Sequence, residues 1–414
     1  MIQCLLSTSS RRPYIFASFI LACSGALAVG CSSDGDDSAA AAGSAGKSSA
    51  GSAGVDTSAG AGGVAVAEAG AGGTTEAGAG GTTEAGAGGA LEIASFAVTR
   101  TDLDSDQAGA TQTDPNLVNA WGIAINPTAE VFWVSSNHGG STPVYDATGA
   151  IKTVDPKVPA LTGTDPGSPT GQVFNAGTNF KADKFVVDTE DGQILGWTGT
   201  GDFVQRAAKD GAIYKGLALI GTGATQTLVA TDFHDGTVDL YGPTYAAVVK
   251  AGAFVDATIP TGFAPFNVMP IGDQVYVTYA KQDANKEDDE SGPGNGYVSI
   301  FASDGTYSKT LISRGVLNSP WAIALAPASF GALANTLLVG NFGDGAVHAF
   351  DPDSGALVGQ LSTADGKPLL ILGLWDLKVG PTGTTDLSST LFFSAGPGDE
   401  AHGVFGKLVA APAN

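Results

Sequence analysis

Residues 318–355 read NSPWAIALAPASFGALANTLLVGNFGDGAVHAFDPDSG. The run WAIALAP is apolar and stops at a proline. TLLVGNF is β-branched and aromatic, and GAVHAFD alternates with a period of two. Asp344-Gly345 between the second and third runs is a strong hairpin signal. The stretch predicts three short strands joined by turns, and the same pattern recurs along the chain.

An aromatic or polar residue stands before an apolar strand at Trp121, Thr170, Lys215, Phe266, Trp321 and Trp375, at spacings of 49, 45, 51, 55 and 54 residues. A second strand follows each anchor: VFWVSSN, KFVVDTE, TLVATDF, QVYVTYA, TLLVGNF and TLFFSAG. A third ends in an aromatic with a turn after it, as in VDLYGP and VHAFDPDSG. No stretch shows a sustained helical period. Fixed-period units of this size imply radial repetition. The predicted fold is all-β, a six-bladed β-propeller with four strands per blade. The last unit runs out of chain after GVFGKL, while the strand at 93–103 has no unit of its own. That first strand is expected to supply the outer strand of the last blade and close the ring.

Composition sets the domain limits. Of 414 residues, 60 are Gly, and all five Trp lie beyond residue 90. Residues 91–414 form the expected propeller. Residues 31–90 are Ala, Gly and Ser, with a period of eight marked by Glu68, Glu76 and Glu84. So little apolar area cannot offset ordering entropy, so this is expected to be a disordered tether. Residues 1–30 carry Arg11-Arg12, an apolar run and small residues, the pattern of a signal peptide.

The three cysteines are Cys4, Cys23 and Cys31, which leaves the folded part without a disulfide or a thiolate metal site. The net charge of −22 repels phosphate backbones and excludes nucleic acid as an expected partner.

Leu27-Ala28-Val29-Gly30-Cys31 resembles a bacterial lipoprotein lipobox. The resemblance implies lipidation at Cys31, an anchor in the cell envelope, and, with Ser32 following, the outer membrane. The repeat L-x-x-P-x-x-I-A with V-x-N/D-x-x-D-G-x-V-x-x-F-D resembles the NHL-type propeller unit. DPNLVNAWGIA, PTGQVFN, YKGLAL, YVTYAKQD, GPGNGYV and VGNFGDG resemble a family of exported bacterial propeller proteins without an assigned activity.

In a propeller the loops entering the inner strand and the second-to-third-strand hairpins share one face. Two columns of this sequence map there. Asn119, Trp121, Lys215, Phe266, Asn267, Trp321 and Trp375 form a candidate channel mouth, where three Trp could stack on a small molecule or glycan, or contact a protein. The competing reading packs those rings between blades. Asn137, Asp188, Asp232 and Asn341 end second strands. They are either hairpin-shaping Asx residues or a ring of oxygens for a hard cation such as Ca²⁺. Calcium-dependent six-bladed hydrolases and lactonases use such channel residues together with Glu, and no Glu stands in this inner-strand column. The insertion at 281–296, KQDANKEDDESGPGNG, reads as a solvated acidic loop, with a lid as the alternative. His138, His234 and His402 fall in hairpins of non-adjacent units, so a shared Zn²⁺ is not expected. The sequence predicts a binding or scaffold module at the cell envelope; the alternative is a Ca²⁺-dependent hydrolase of lactones or esters.

Overall fold

The computed structural model describes residues 93–411. The signal peptide, Cys31 and the Gly/Ala tether lie outside the described residues. Among the described residues there is no α-helix, only strands and three short 3₁₀ turns.

Strand β1 (Ala94–Ser105) leads through β2 (Gln112–Thr113) into a series of antiparallel meanders. The first holds β3 (Ala120–Asn126), β4 (Val131–Ser136) and β5 (Val144–Asp146). The second holds β6 (Pro169–Phe174), β7 (Phe185–Thr189), β8 (Gln193–Trp197) and β9 (Val204–Ala208). Next come β10 (Tyr214–Ile220), β11 (Thr227–Asp232), β12 (Thr237–Tyr241) and β13 (Ala247–Val248), then β14 (Phe263–Ile271), β15 (Gln274–Lys281), β16 (Gly296–Ala302) and β17 (Tyr307–Ser313). The last two are β18 (Pro320–Leu325), β19 (Leu337–Asn341), β20 (Val347–Phe350) and β21 (Leu357–Ser362), and β22 (Leu374–Val379), β23 (Thr390–Ala395) and β24 (Val404–Ala410).

The first strand of each meander packs on the first strand of the next, from β3 through β6, β10, β14, β18 and β22, and β22 returns to β3. Separate apolar clusters fill the spaces between sheets. One joins Trp133 and Val144 to Phe185 and Leu195, and another joins Tyr276 and Ile300 to Ile323 and Val339. The fold is all-β with successive four-stranded sheets, an arrangement consistent with a propeller.

Three features depart from the sequence reading. The first sheet has three strands rather than four. The segment after β5 makes only isolated bridges, such as Ser141 with Lys157 and Pro159 with Pro166. Pro156, Pro159 and Pro166 have no N–H for a ladder there. Second, the Asp344-Gly345 turn is wider than a two-residue hairpin: Asn341 N–H donates to Ala346 O, and Gly345 takes φ 73°.

Third, besides its short pairing with β2, β1 joins two of the meanders. It runs antiparallel to β24 from Val98↔Ala410 to Ser105↔Val404. Its start also pairs in parallel with β21, from Ala94↔Gly359 to Ala97↔Ser362. The strand thereby fuses the last two meanders into one nine-stranded sheet.

Candidate functional site

The inner strands share one irregularity. Register slips between Ala120 and Ile123 in β3, Pro169 and Gln172 in β6, and Tyr214 and Gly216 in β10. It slips again between Pro265 and Asn267 in β14, Pro320 and Ala322 in β18, and Leu374 and Asp376 in β22. The residues left out of the ladder include Trp121, Thr170, Lys215, Phe266, Trp321 and Trp375, the anchor column. A bulge inserts an unpaired residue, bends the strand and re-aims a side chain.

The residue after each anchor meets a neighbouring strand. A Cβ on Gly122 would lie 2.6 Å from Thr170 O, and one on Gly171 would lie 2.2 Å from Leu217 N. Where that position is polar, it bonds instead. Asn267 Nδ2 donates to Trp321 O at 2.9 Å, and Asp376 Oδ2 accepts Ile123 N–H at 2.9 Å.

The bulges gather Trp121, Phe266, Trp321 and Trp375 into one buried cluster with Phe233. Trp375 is at its centre. Trp121 stacks on it with ring centroids 3.5 Å apart, and Phe342 stacks on it at 4.0 Å. Trp321 and Phe266 meet it edge-on at 6.1 and 5.9 Å. All three Trp are at most 2 % exposed. The reading of these rings as an open stacking surface is therefore corrected. Their faces are spent on one another, and they form an aromatic floor.

Above this floor stands a polar layer. Lys215 Nζ lies 5.3 Å from the Trp121 ring centroid and is salt-bridged to Glu190 Oε1 at 2.6 Å and Asp288 Oδ1 at 3.0 Å. Burial opposes the Lys215 charge, but Glu190 and Asp288 outweigh it and hold its pKa above the ordinary lysine value. Asn137 Nδ2 donates to Glu190 Oε2 at 3.0 Å. Asn119 Nδ2 donates to Glu400 Oε2 at 2.6 Å, while Asn119 Oδ1 accepts Trp375 Nε1–H at 2.8 Å. Asn119 adopts φ 51°, a left-handed conformation that Asn tolerates better than most residues. Burial and then the charge of Glu190 push Glu400 up to about 7, with Lys215 opposing.

The structure thus brings Asn119, Trp121, Lys215, Phe266, Trp321 and Trp375 together, with Asn267 tying β14 to β18. Of the proposed cation ring, only Asn137 joins the polar layer. Asp188 is buried and accepts Thr170 Oγ1–H at 2.8 Å, and burial pushes it up to about 7. Asp232 is salt-bridged to Lys209 at 2.8 Å, and Asn341 Nδ2 donates to Val316 O at 2.8 Å. Among the described residues no three His, Cys, Asp or Glu gather as a metal site.

Three residues of the layer were not legible in the sequence. Glu190 and Glu400 stand in second-to-third-strand hairpins, outside the inner-strand column. Asp288 belongs to the acidic insertion, whose reading as a solvated loop is corrected in part: Asp288 reaches Lys215, and burial raises the pKa of Asp289. The usable signal was hairpin position, one residue past Thr189 for Glu190.

No family model matches the chain. It is 31% identical over 319 residues to "Uncharacterized protein R648" of Acanthamoeba polyphaga mimivirus, covering 72% of this chain and 76% of that protein. It is 32% identical over 324 residues to "Uncharacterized protein L690" of the same virus, covering 72% and 82%. The chain belongs to the family of these mimivirus proteins. Among solved structures it is similar to the Dos1 propeller, at TM-score 0.41 and 12% identity over 72% of this chain and 69% of that one. It is also similar to a streptogramin B lyase, at TM-score 0.44 and 12% identity over 76% of this chain and 98% of that one.

Proposed function

We propose that the protein is an exported, lipid-anchored six-bladed β-propeller of a bacterial cell envelope, acting as a binding or scaffold module through its channel mouth. The six anchors and the cycle of inner strands support the blade number. Arg11-Arg12 and the lipobox ending at Cys31 support export and the anchor.

One observation carries the binding reading: fixed polar groups stand on a closed aromatic floor. Glu190 and Asp288 hold a single ammonium and Glu400 is bonded to Asn119, so the mouth carries three carboxyls to one cation. That balance suits a hydroxyl-rich glycan or a basic protein segment. The test is an array of envelope glycans and basic peptides probed with the wild type and Glu400→Gln. Binding by the wild type that drops at least tenfold in the variant, with melting unchanged at acidic pH, supports the mouth. A wild type that binds nothing on the array overturns it.

The alternative, a hydrolase of lactones or esters, has one observation in its favour. Glu400, pushed up to about 7 beside Glu190, is tuned for proton transfer near neutral pH. Turnover of simple lactones or aryl esters that disappears in Glu400→Gln would favour that reading over the first.

A further inference from the structure

A second cluster of carboxylates lies at the seam where β1 meets the first sheet. Asp104 stands in β1 next to a bulge, since the β1–β24 register slips between Asp102 and Asp104. Its side chain is wholly buried, and neither carboxylate oxygen has a hydrogen-bond partner. Asp114, also buried, accepts Tyr145 O–H at 2.9 Å and Asn116 N–H at 2.9 Å. The turn that begins at Asp146 presses on the same spot: a Cβ on Gly149 would lie 2.9 Å from Asp104 Oδ2 and 3.0 Å from Leu103 O.

Among the described residues no cation serves Asp104. Lys152 is engaged by Asp146 at 2.5 Å, and Lys407 points to Ala147 O at 3.5 Å. Burial, then the charges of Asp114 and Asp146, push Asp104 up to about 7. Two orphaned oxygens on a fully buried carboxylate are rare in folded proteins and call for an ion, a proton or a water.

We propose that this seam binds a hard divalent cation, calcium, through Asp104 and Asp114. Calcium is matched to oxygen donors and accepts six to eight of them in loose geometry. The two carboxylates supply the charge. Leu103 O, which meets the same point on Gly149 as Asp104 Oδ2, is the main-chain oxygen at hand, and water completes the shell. The ion relieves the repulsion between the carboxylates and clips the ring-closing strand to the first sheet. The site is separate from the mouth and does not depend on any reading of it.

The experiment is thermal unfolding of the purified chain at slightly alkaline pH, in millimolar calcium or in chelator, with calorimetric titration of calcium. The wild type should melt roughly 5 °C higher with calcium and bind about one ion. Asp104→Asn should lose both responses, and Asp273→Asn, at an exposed hairpin carboxylate, should keep them. Should Asp104→Asn fail to fold, Asp114→Asn takes its place, and the calorimetric stoichiometry of the wild type still decides. A wild type indifferent to calcium and chelator overturns the proposal. So does a calcium response that survives in Asp104→Asn. A chain stabilised only by acidification reports a shared proton in place of the ion, and overturns it too.

Discussion

Glu400 shows how one residue ties the mouth to pH. Its folded carboxyl holds a proton up to about 7, against an ordinary 4.5. A carboxyl whose folded pKa is raised contributes stability that is fully present below its unfolded value and lost as pH rises through the folded one. Melting temperature should therefore fall between about pH 4.5 and pH 7. Glu400→Gln should flatten part of that fall, read by differential scanning calorimetry across the window. Asp188 and Asp104 shift in the same direction and add to the slope. The shifts of these groups could not be read from sequence. A pKa is raised by what surrounds a residue, and Glu190 and Glu400 are 210 positions apart in the chain. The anchor column was legible because it repeats at near-constant spacing. What the anchors do was not, because stacking of Trp121 on Trp375 depends on ring orientation, which no spacing encodes.

At the scale of the element, the bulge in every inner strand is the device that turns a β-ladder into a floor. It places a side chain on the axis and leaves the next residue against a neighbouring strand. The sequence marks this with Gly122, Gly171 and Gly216 after the first three anchors, where the backbones meet. Gly171→Ala should destabilise by about 1–3 kcal/mol, since its Cβ has no room beside Leu217 N. Gly242→Ala, whose Cβ meets Val248 Cγ2 at an ordinary 3.4 Å, should cost under about 0.5 kcal/mol. Urea titration of both variants checks the contrast. The strand pattern was readable from period-two alternation, and the second strands lie where the repeats put them. The missing fourth strand of the first sheet was harder to see, because Pro156, Pro159 and Pro166 interrupt a segment whose composition otherwise permits a strand.

For the whole molecule, β1 decides whether the sheets form one cooperative unit. It carries ladder bonds to two meanders at once, and without it both β21 and β24 present bare edges. A chain beginning at Asp114 should lose the single cooperative transition and expose enough apolar surface to bind a hydrophobic dye. A stable monomer with one sharp transition would refute the role given to β1. The antiparallel pairing of β1 with β24 follows the expectation drawn from the count of strands. Its parallel contact with β21 lay beyond sequence reasoning, since four residues at a strand end carry no signature of a second partner.

The pairing of Val98 with Ala410 also fixes an order of events. Strand β1 is made before the meanders and waits for a partner made after all of them. During synthesis the early sheets can collapse locally, yet the seam stays unsealed until β24 is made, and contacts this distant in sequence form slowly. Completion of the native state thus follows the synthesis of β24, so the seam stays open while the meanders between the two strands are being made.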